Sequence, residues 1–261
     1  MAITTDPANE LAAVCKRLSH TGRQVGAVAL GTLFGFEGYS TGYYRIISSI
    51  MQRADQVEEV VANSHMDPEH KVLAAETLRE FKSLFSSTYL NQAWNNGGSS
   101  KAASLVQAIT FLSPTVRSYV QYPSLDEDEV RAILVEIDEY LRLLRSNSEG
   151  ELAFVRRSIE DSLQELVFRL TNLGWLGADY TLEGLRQVND AYHLMERGTF
   201  SDDGGSSIMT RLGSLIGAIN DRLSTAREWK ENAALAIEGY KFVASLSMPV
   251  MALTPLLTGP K

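Results

Sequence analysis

The chain has one cysteine, Cys15, in 261 residues. A single cysteine cannot form an intramolecular disulfide, so the fold does not depend on an oxidising compartment. The residues after Met1, AITTDPANE, lack the basic and apolar regions of a secretory signal. We therefore expect the protein in the cytoplasm, and we expect Cys15 to lie in the core beside Leu11, Val14 and Leu18.

Long apolar runs and an excess of basic residues are also lacking. No uncharged apolar stretch reaches the roughly 18 residues that a membrane-spanning helix needs. The chain has 24 Lys and Arg against 32 Asp and Glu, a formal charge of −8. Such a chain has no general attraction to phosphate backbones or anionic lipids. Nucleic acid is therefore not an expected partner, except under the ribonuclease hypothesis below.

Alternating apolar and polar runs between turn signals are missing, so no sheet is predicted. Helical periodicity is present throughout, and we predict an all-α fold, a multi-helix bundle of about eight to ten helices in a single domain, 1–261. Residues 198–206 are expected to form a mobile loop, because they are polar and rich in glycine. The predicted long helices cover about 43–63, 124–145, 151–172, 181–198 and 207–245.

Short polar residues predict where several helices begin. Asp6 and Asp67 each precede a proline, which is a favoured arrangement at a helix start. Ser124 and Glu127 have the spacing of a capping box, and Thr181 is a candidate cap for a later helix. In the helix after Asp67, Leu73, Leu78, Phe81, Leu84 and Phe85 form the predicted buried stripe.

The segment QVGAVALGTLFGFEGYSTGYY, residues 24–44, carries one charge, Glu37. If it is helical, Ala27, Gly31 and Gly35 share a face with almost no side-chain bulk, and another helix can approach closely. One interpretation is a buried core helix or turn that is tightly packed. The others are a contact with a membrane or a second subunit, for which Gly31 and Gly35 are the candidate residues, and an irregular loop.

The C-terminal tail, 242–261, contains a second uncharged segment, FVASLSMPVMALTPLL at 242–257. Two prolines interrupt any helix in it. We interpret it as a tail that lies across an apolar groove of this chain or of a partner subunit, with interfacial membrane insertion as the alternative. The candidate interaction residues are Phe242, Met248 and Leu256.

The stretch LRQVNDAYHLMERG places Arg186 and His193 with six residues between them. Arginine can stabilise a phosphorane-like transition state and histidine can transfer a proton. The spacing resembles the R-x(4–6)-H signature of HEPN-domain ribonucleases, although Gln187 stands where that family usually has Asn, Asp or His. The resemblance implies an all-α, usually dimeric, metal-independent ribonuclease with Arg186 and His193 as catalytic residues. The other interpretation is an exposed helix face.

Other motifs of catalysis or cofactor binding are weak. His65 and His70 flank Asp67, but Asp67 is better explained as a helix cap, so we predict no metal site there. The glycines between 22 and 42 lack the lysine and the preceding strand of a nucleotide-binding loop, and no cofactor is predicted.

The sequence therefore favours a non-enzymatic helical protein that works by contact. Its expected partner is a second copy or another protein, and it is a candidate regulatory, immunity or effector component. A membrane-active effector using 24–36 and 242–257 is the first alternative, which adds membrane association. The HEPN-like ribonuclease is the second.

Overall fold

A computed structural model describes residues 4–20, 22–146, 153–198 and 213–217, and gives the backbone alone for Ser146, 153–156 and 189–198. Over these residues it contains eleven named α-helices, one 3-10 turn at Trp94–Asn96 and one pair of two-residue strands. The strands are β1 (Thr4–Thr5) and β2 (Tyr122–Pro123). The helices are α1 (Pro7–Ser19), α2 (Gly26–Phe34), α3 (Thr41–Asn63), α4 (Pro68–Ser83), α5 (Ser87–Leu90), α6 (Gly98–Thr110), α7 (Ser113–Arg117), α8 (Glu127–Ser146), α9 (Ala153–Thr171), α10 (Leu173–Leu176) and α11 (Ala178–Gly198).

The prediction of an all-α multi-helix fold is confirmed. The number of helices exceeds the predicted eight to ten because α5, α7 and α10 span only four or five residues each. So short a helix shows no apolar periodicity in the sequence. The pairing of β1 with β2, which sets Thr5 opposite Tyr122, was not predicted for the same reason.

Helix α1 begins as the sequence predicts. The Asp6 carboxylate accepts hydrogen bonds from the backbone N–H groups of Ala8 and Asn9 at 3.1 and 3.0 Å, and Pro7 occupies the first position of the helix. The Ser113 hydroxyl donates to the same carboxylate at 2.7 Å, which ties the start of α1 to the start of α7. Asp6 is fully buried, and these donors satisfy its charge.

Two predicted caps differ from the structure, and a third lacks its side-chain bond. Asp67 occupies the N-terminal cap position of α4, as predicted, but its side chain makes no capping hydrogen bond. The capping box of α8 consists of Asp126 and Glu129, whose backbone and side chains bond reciprocally, and not of Ser124 and Glu127. Thr181 lies inside α11, where its hydroxyl donates to the Gly177 carbonyl. Before α8 several adjacent polar residues can cap, and the start of the helix at Glu127 selects Asp126.

Buried residues form two clusters. The first is built from α1 to α7 and α10, with α1 packed along α6 and also against α3. Cys15 is fully buried in it, as predicted. Trp94 is also fully buried, and its indole N–H donates to the Leu18 carbonyl at 2.9 Å. Leu78 and Phe81 of α4 and Leu84, its C-terminal cap, are buried as predicted, but Leu73 is 61% exposed because the buried stripe runs through Ala74 instead.

The second cluster is built from α8, α9 and α11, together with Leu215 and Ile216 of a helical stretch at 213–217. Helices α8 and α9 pack against each other, as expected for consecutive helices of a hairpin. The expectations for a mobile loop at 198–206, for most of a helix at 207–245 and for the tail at 242–261 lie outside the described residues. The single domain 1–261 stays a prediction.

Candidate functional site

The glycine segment forms α2 and a turn that folds back onto it. A Cβ atom on Gly31 would lie 2.7 Å from the carbonyl oxygen of Phe36 and 2.8 Å from the amide nitrogen of Gly38. A Cβ atom on Gly26 would lie 2.2 Å from the carbonyl oxygen of Tyr89. These approaches are too short for any side chain, so glycine is required for α2 to sit where it does.

Gly35 does not share the helix face of Gly31, contrary to the prediction. Helix α2 ends at Phe34, and Gly35 is its C-terminal cap with φ of 75°. This left-handed conformation strongly favours glycine. A Cβ atom on Gly35 would meet nothing within 4 Å, so this glycine serves the turn and not a close helix contact. An interaction role for Gly31 or Gly35 stays a prediction.

Residues 24–44 expose four large apolar or aromatic side chains, Val25, Val28, Tyr39 and Tyr44, which we call the Val–Tyr surface. Their exposed fractions are 46%, 50%, 51% and 53%. The Tyr39 and Tyr44 rings are 6.3 Å apart, and the Tyr39 hydroxyl lies 3.1 Å from the Asn91 carboxamide oxygen. Charged side chains are nearly missing from the segment that forms the surface, since Glu37 is its one charge.

Tyr39 adopts a strained backbone conformation. Its φ is 67°, in the left-handed region that residues with a Cβ atom rarely occupy. The cost is on the order of 1–2 kcal/mol. The Tyr39 ring also contacts the buried Tyr43, with ring centroids 5.9 Å apart. The fold thus accepts strain in a residue whose ring is half exposed, which is a common property of functional positions.

A buried ion pair joins α1 to α3. The Arg53 Nε atom lies 3.1 Å from the Glu10 Oε2 atom, and the two side chains are only 5% and 12% exposed. The other Glu10 oxygen, Oε1, accepts from the backbone N–H of Ala178 at 3.0 Å. Arg53 donates from Nη2 to the Trp175 carbonyl at 3.0 Å. The pair therefore holds α1 and α3 to the α10–α11 junction.

Gly177 makes room for this pair. It has φ of 86°, and a Cβ atom on it would lie 2.3 Å from Arg53 Nη2 and 2.5 Å from Glu10 Oε2. A second polar contact lies nearby, where the Gln56 amide donates to the Tyr122 hydroxyl at 2.7 Å. The Asp179 carboxylate interacts electrostatically with the same hydroxyl. One polar network therefore joins three helices, α1, α3 and α11, and the strand β2.

Burial perturbs the ionisation of this network. It raises the pKa of the Glu10 carboxyl, against the opposing influence of the Arg53 cation and the Ala178 N–H. Burial likewise raises the pKa of Asp179, with the Arg186 cation acting in the opposite direction. Burial also lowers the pKa of Arg53, and Glu10 counteracts that. Groups perturbed in this way are concentrated at functional sites, although structural ion pairs show the same behaviour.

A cleft of about 430 Å³ lies next to this network. Its walls come from α1, the segment leading into α8, and the α10–α11 junction, and they include Glu10, Arg17, Glu127 and Trp175. The Arg17 guanidinium carbon lies 5.1 Å from the centre of the Trp175 ring, in cation–π contact. The cleft therefore combines an aromatic ring with charged groups of both signs.

The two predicted catalytic residues both belong to α11. Arg186 is exposed, and its Nη1 atom lies 3.6 Å from the Glu183 carboxylate. His193 lies two turns further along the helix, and its side chain is outside the described residues. A ribonuclease site formed by the two therefore stays a prediction. The candidates Phe242, Met248 and Leu256 also lie outside the described residues.

The described residues contain neither a metal-binding cluster nor a membrane-spanning helix. No group of three His, Cys, Asp or Glu side chains within the described ranges has the geometry to hold a metal ion. His70 Nδ1 lies 3.8 Å from an oxygen of Asp67, and both side chains are exposed. No described helix is long and apolar enough to cross a bilayer.

The sequence prediction missed Glu10, Arg53 and Asp179. The sequence does contain a signal for Arg53. This residue falls on the apolar stripe of α3 between Ile50 and Val57, so helical periodicity predicts that it is buried. A buried arginine requires a carboxylate partner. The sequence does not show which carboxylate that is.

Comparison with known proteins adds no functional information. No protein-family model matches the chain, and neither a curated protein nor a solved structure matches it.

Proposed function

We propose that this protein works by contact and that it associates with a second copy of itself through the Val–Tyr surface. The observation that carries the proposal is that four large apolar or aromatic side chains are half exposed on a segment with a single charge. Tyrosine is common at the centres of protein interfaces, because it buries a large ring at low entropic cost and keeps a polar hydroxyl.

The charge of the chain favours this surface as the place of contact. Each copy carries a formal charge of −8, so two copies repel each other wherever acidic faces meet. Contact through a nearly uncharged region avoids most of that repulsion and desolvates few ionised groups. A two-fold contact would place the same surface on both sides, which requires only self-complementarity.

The rigidity of α2 also supports the proposal. The glycine contacts fix α2 against the turn at 36–38 and against Tyr89. The Gly26 N–H donates to the Gln92 carbonyl at 2.7 Å, which anchors the start of the helix. A surface that is ordered before association loses less conformational entropy on binding.

The test is sedimentation velocity of the full chain over a range of micromolar concentrations, with the variant Val28→Glu. We expect the wild-type chain to form a dimer or larger species and Val28→Glu to weaken association at least about tenfold, because two buried carboxylates would face each other. The matched control is Val72→Glu, since Val72 is 60% exposed on α4, away from the surface. It should associate like the wild type.

Liposome flotation distinguishes self-association from the membrane alternative. The full chain and a truncation after Lys241 are mixed with neutral and with anionic vesicles. In the sedimentation experiment, a wild-type chain that stays monomeric at every concentration, or a Val28→Glu variant that associates like the wild type, contradicts the proposal. Flotation of the full chain but not of the truncation would replace it with a membrane mechanism that uses the segment 242–257.

A further inference from the structure

The cleft beside α1 has properties of a small-molecule site that the proposed self-association does not use. It lies where elements of the two buried clusters meet, which is a preferred place for ligand sites. Its volume of about 430 Å³ corresponds to roughly a dozen water-sized volumes. A molecule of about that many non-hydrogen atoms would fill it.

Arg17 supplies a cation at a fixed position in the cleft. Its guanidinium lies against the Trp175 ring and against the backbone of Gly174, where a Cβ atom would be only 2.1 Å from Nη1. The glycine therefore leaves the space that the guanidinium occupies. Arg17 forms no ion pair with any residue of the described ranges, so its charge can bind an anionic group of a ligand.

Glu127 supplies the opposite charge. It is the first residue of α8, lines the cleft, is exposed, and forms no ion pair within the described part of the chain. Glu10 lines the same cleft, but its carboxylate is already bound to Arg53 and to the Ala178 N–H. Glu127 follows β2, which pairs with β1 just before the start of α1, whereas Arg17 lies near the end of α1, so the two charged groups are separated.

We propose that this cleft binds a small zwitterion of extended shape, with its carboxylate at Arg17 and its ammonium group toward Glu127. The separation of the charges favours an ω-amino acid or a short peptide. In an α-amino acid the ammonium and carboxylate groups are attached to the same carbon, so they lie too close together. The Trp175 ring provides an apolar wall for the connecting chain.

The test is isothermal titration calorimetry of the full chain with 6-aminohexanoate, hexylamine, hexanoate and glycine. The first carries both charges at a distance, the next two carry one charge each, and glycine carries both charges close together. We expect 6-aminohexanoate to bind at least about tenfold more tightly than each of the other three. Equal affinities, or no saturable binding of 6-aminohexanoate at millimolar concentrations, would overturn the proposal.

Two variants assign the charges. Arg17→Gln should lower the affinity for 6-aminohexanoate about tenfold and leave hexylamine unaffected, whereas Glu127→Gln should weaken 6-aminohexanoate and leave hexanoate unaffected. Both side chains are exposed, so both variants should fold. The controls Lys16→Gln and Glu139→Gln change exposed charges on the same helices outside the cleft. Binding that is insensitive to Arg17→Gln, or equally sensitive to Lys16→Gln, contradicts the assignment. None of these outcomes depends on whether the chain self-associates.

Discussion

The buried pair of Glu10 and Arg53 predicts a strong non-additivity of two substitutions. Arg53→Met removes the cation but keeps an apolar side chain of similar length. The Glu10 carboxylate then loses the group 3.1 Å from its Oε2 atom, in a place where that side chain is only 12% exposed. Breaking a buried pair on one side costs about 3–5 kcal/mol, because a buried charge remains without compensation.

The double variant Glu10→Gln with Arg53→Met should cost much less. A glutamine carbonyl can still accept the Ala178 N–H, which Glu10 Oε1 accepts at 3.0 Å. The main remaining loss is the hydrogen bond from Arg53 to the Trp175 carbonyl, a bond to a charged donor worth about 1.5–3 kcal/mol. We therefore expect the double variant to lose about 2 kcal/mol, which is no more than the loss in the milder of the two single variants.

The assay is urea unfolding followed by circular dichroism, at a pH above the raised pKa of the Glu10 carboxyl, for the wild type, both single variants and the double variant. A matched control is the exposed i,i+4 pair of Arg142 and Asp138 on α8. Arg142→Met should change the stability by less than about 0.5 kcal/mol, because exposed pairs contribute little. If the two losses at Glu10 and Arg53 simply add, or if Arg53→Met is as mild as Arg142→Met, the pair is not the buried contact described here.

Three further results are expected. Gly31→Leu should lower the stability by about 1–3 kcal/mol or more, because the new side chain overpacks against the following turn, and it should leave the oligomeric state unchanged. The control Gly22→Ala should be neutral in urea unfolding, because a Cβ atom there would meet nothing within 4 Å. Equal effects of the two substitutions would refute the tight contact at Gly31. Burial raises the pKa of Glu10, so the part of the stability that depends on this group should fall as the pH rises from about 4.5 through the raised pKa, and Glu10→Gln should remove that dependence in urea unfolding at a series of pH values. If the ribonuclease hypothesis is correct, Arg186→Ala and His193→Ala will each abolish RNA cleavage by the purified chain while the circular dichroism spectrum stays unchanged. If the wild-type chain cleaves no RNA, the hypothesis is excluded.

The long helices could be predicted because each buries an apolar stripe that repeats with helical spacing. In α3 the predicted range 43–63 differs from Thr41–Asn63 by two residues at one end. The short elements could not be predicted in this way. Helix α10 covers four residues, and its position depends on contacts of Trp175 and Leu176 with residues more than a hundred positions earlier in the chain, such as the bond from the Ser49 hydroxyl to the Leu176 carbonyl at 2.9 Å.

The polar network shows a different limit. Periodicity places Arg53 on the buried side of α3, but its partners come from α1 and from the backbone near Gly177, which are distant in sequence. Each of the 32 acidic residues was a formal candidate for the partner. Only the packing of α1 against α3 selects Glu10, and only the positive φ of Gly177 leaves space for both side chains.

The glycine segment shows why a small-residue spacing does not identify what approaches it. The spacing of Ala27 and Gly31 predicts that some backbone can come close, and a helix of another subunit or of a membrane bundle would satisfy it equally well. In this chain Gly35 reverses the direction of the backbone, and the turn at 36–38 fills the space over Gly31. The small-residue face is thereby used within the chain. The proposed self-association therefore uses the other face of α2, where Val25 and Val28 remain half exposed, and it predicts that substitutions there, not at Gly31, change the oligomeric state.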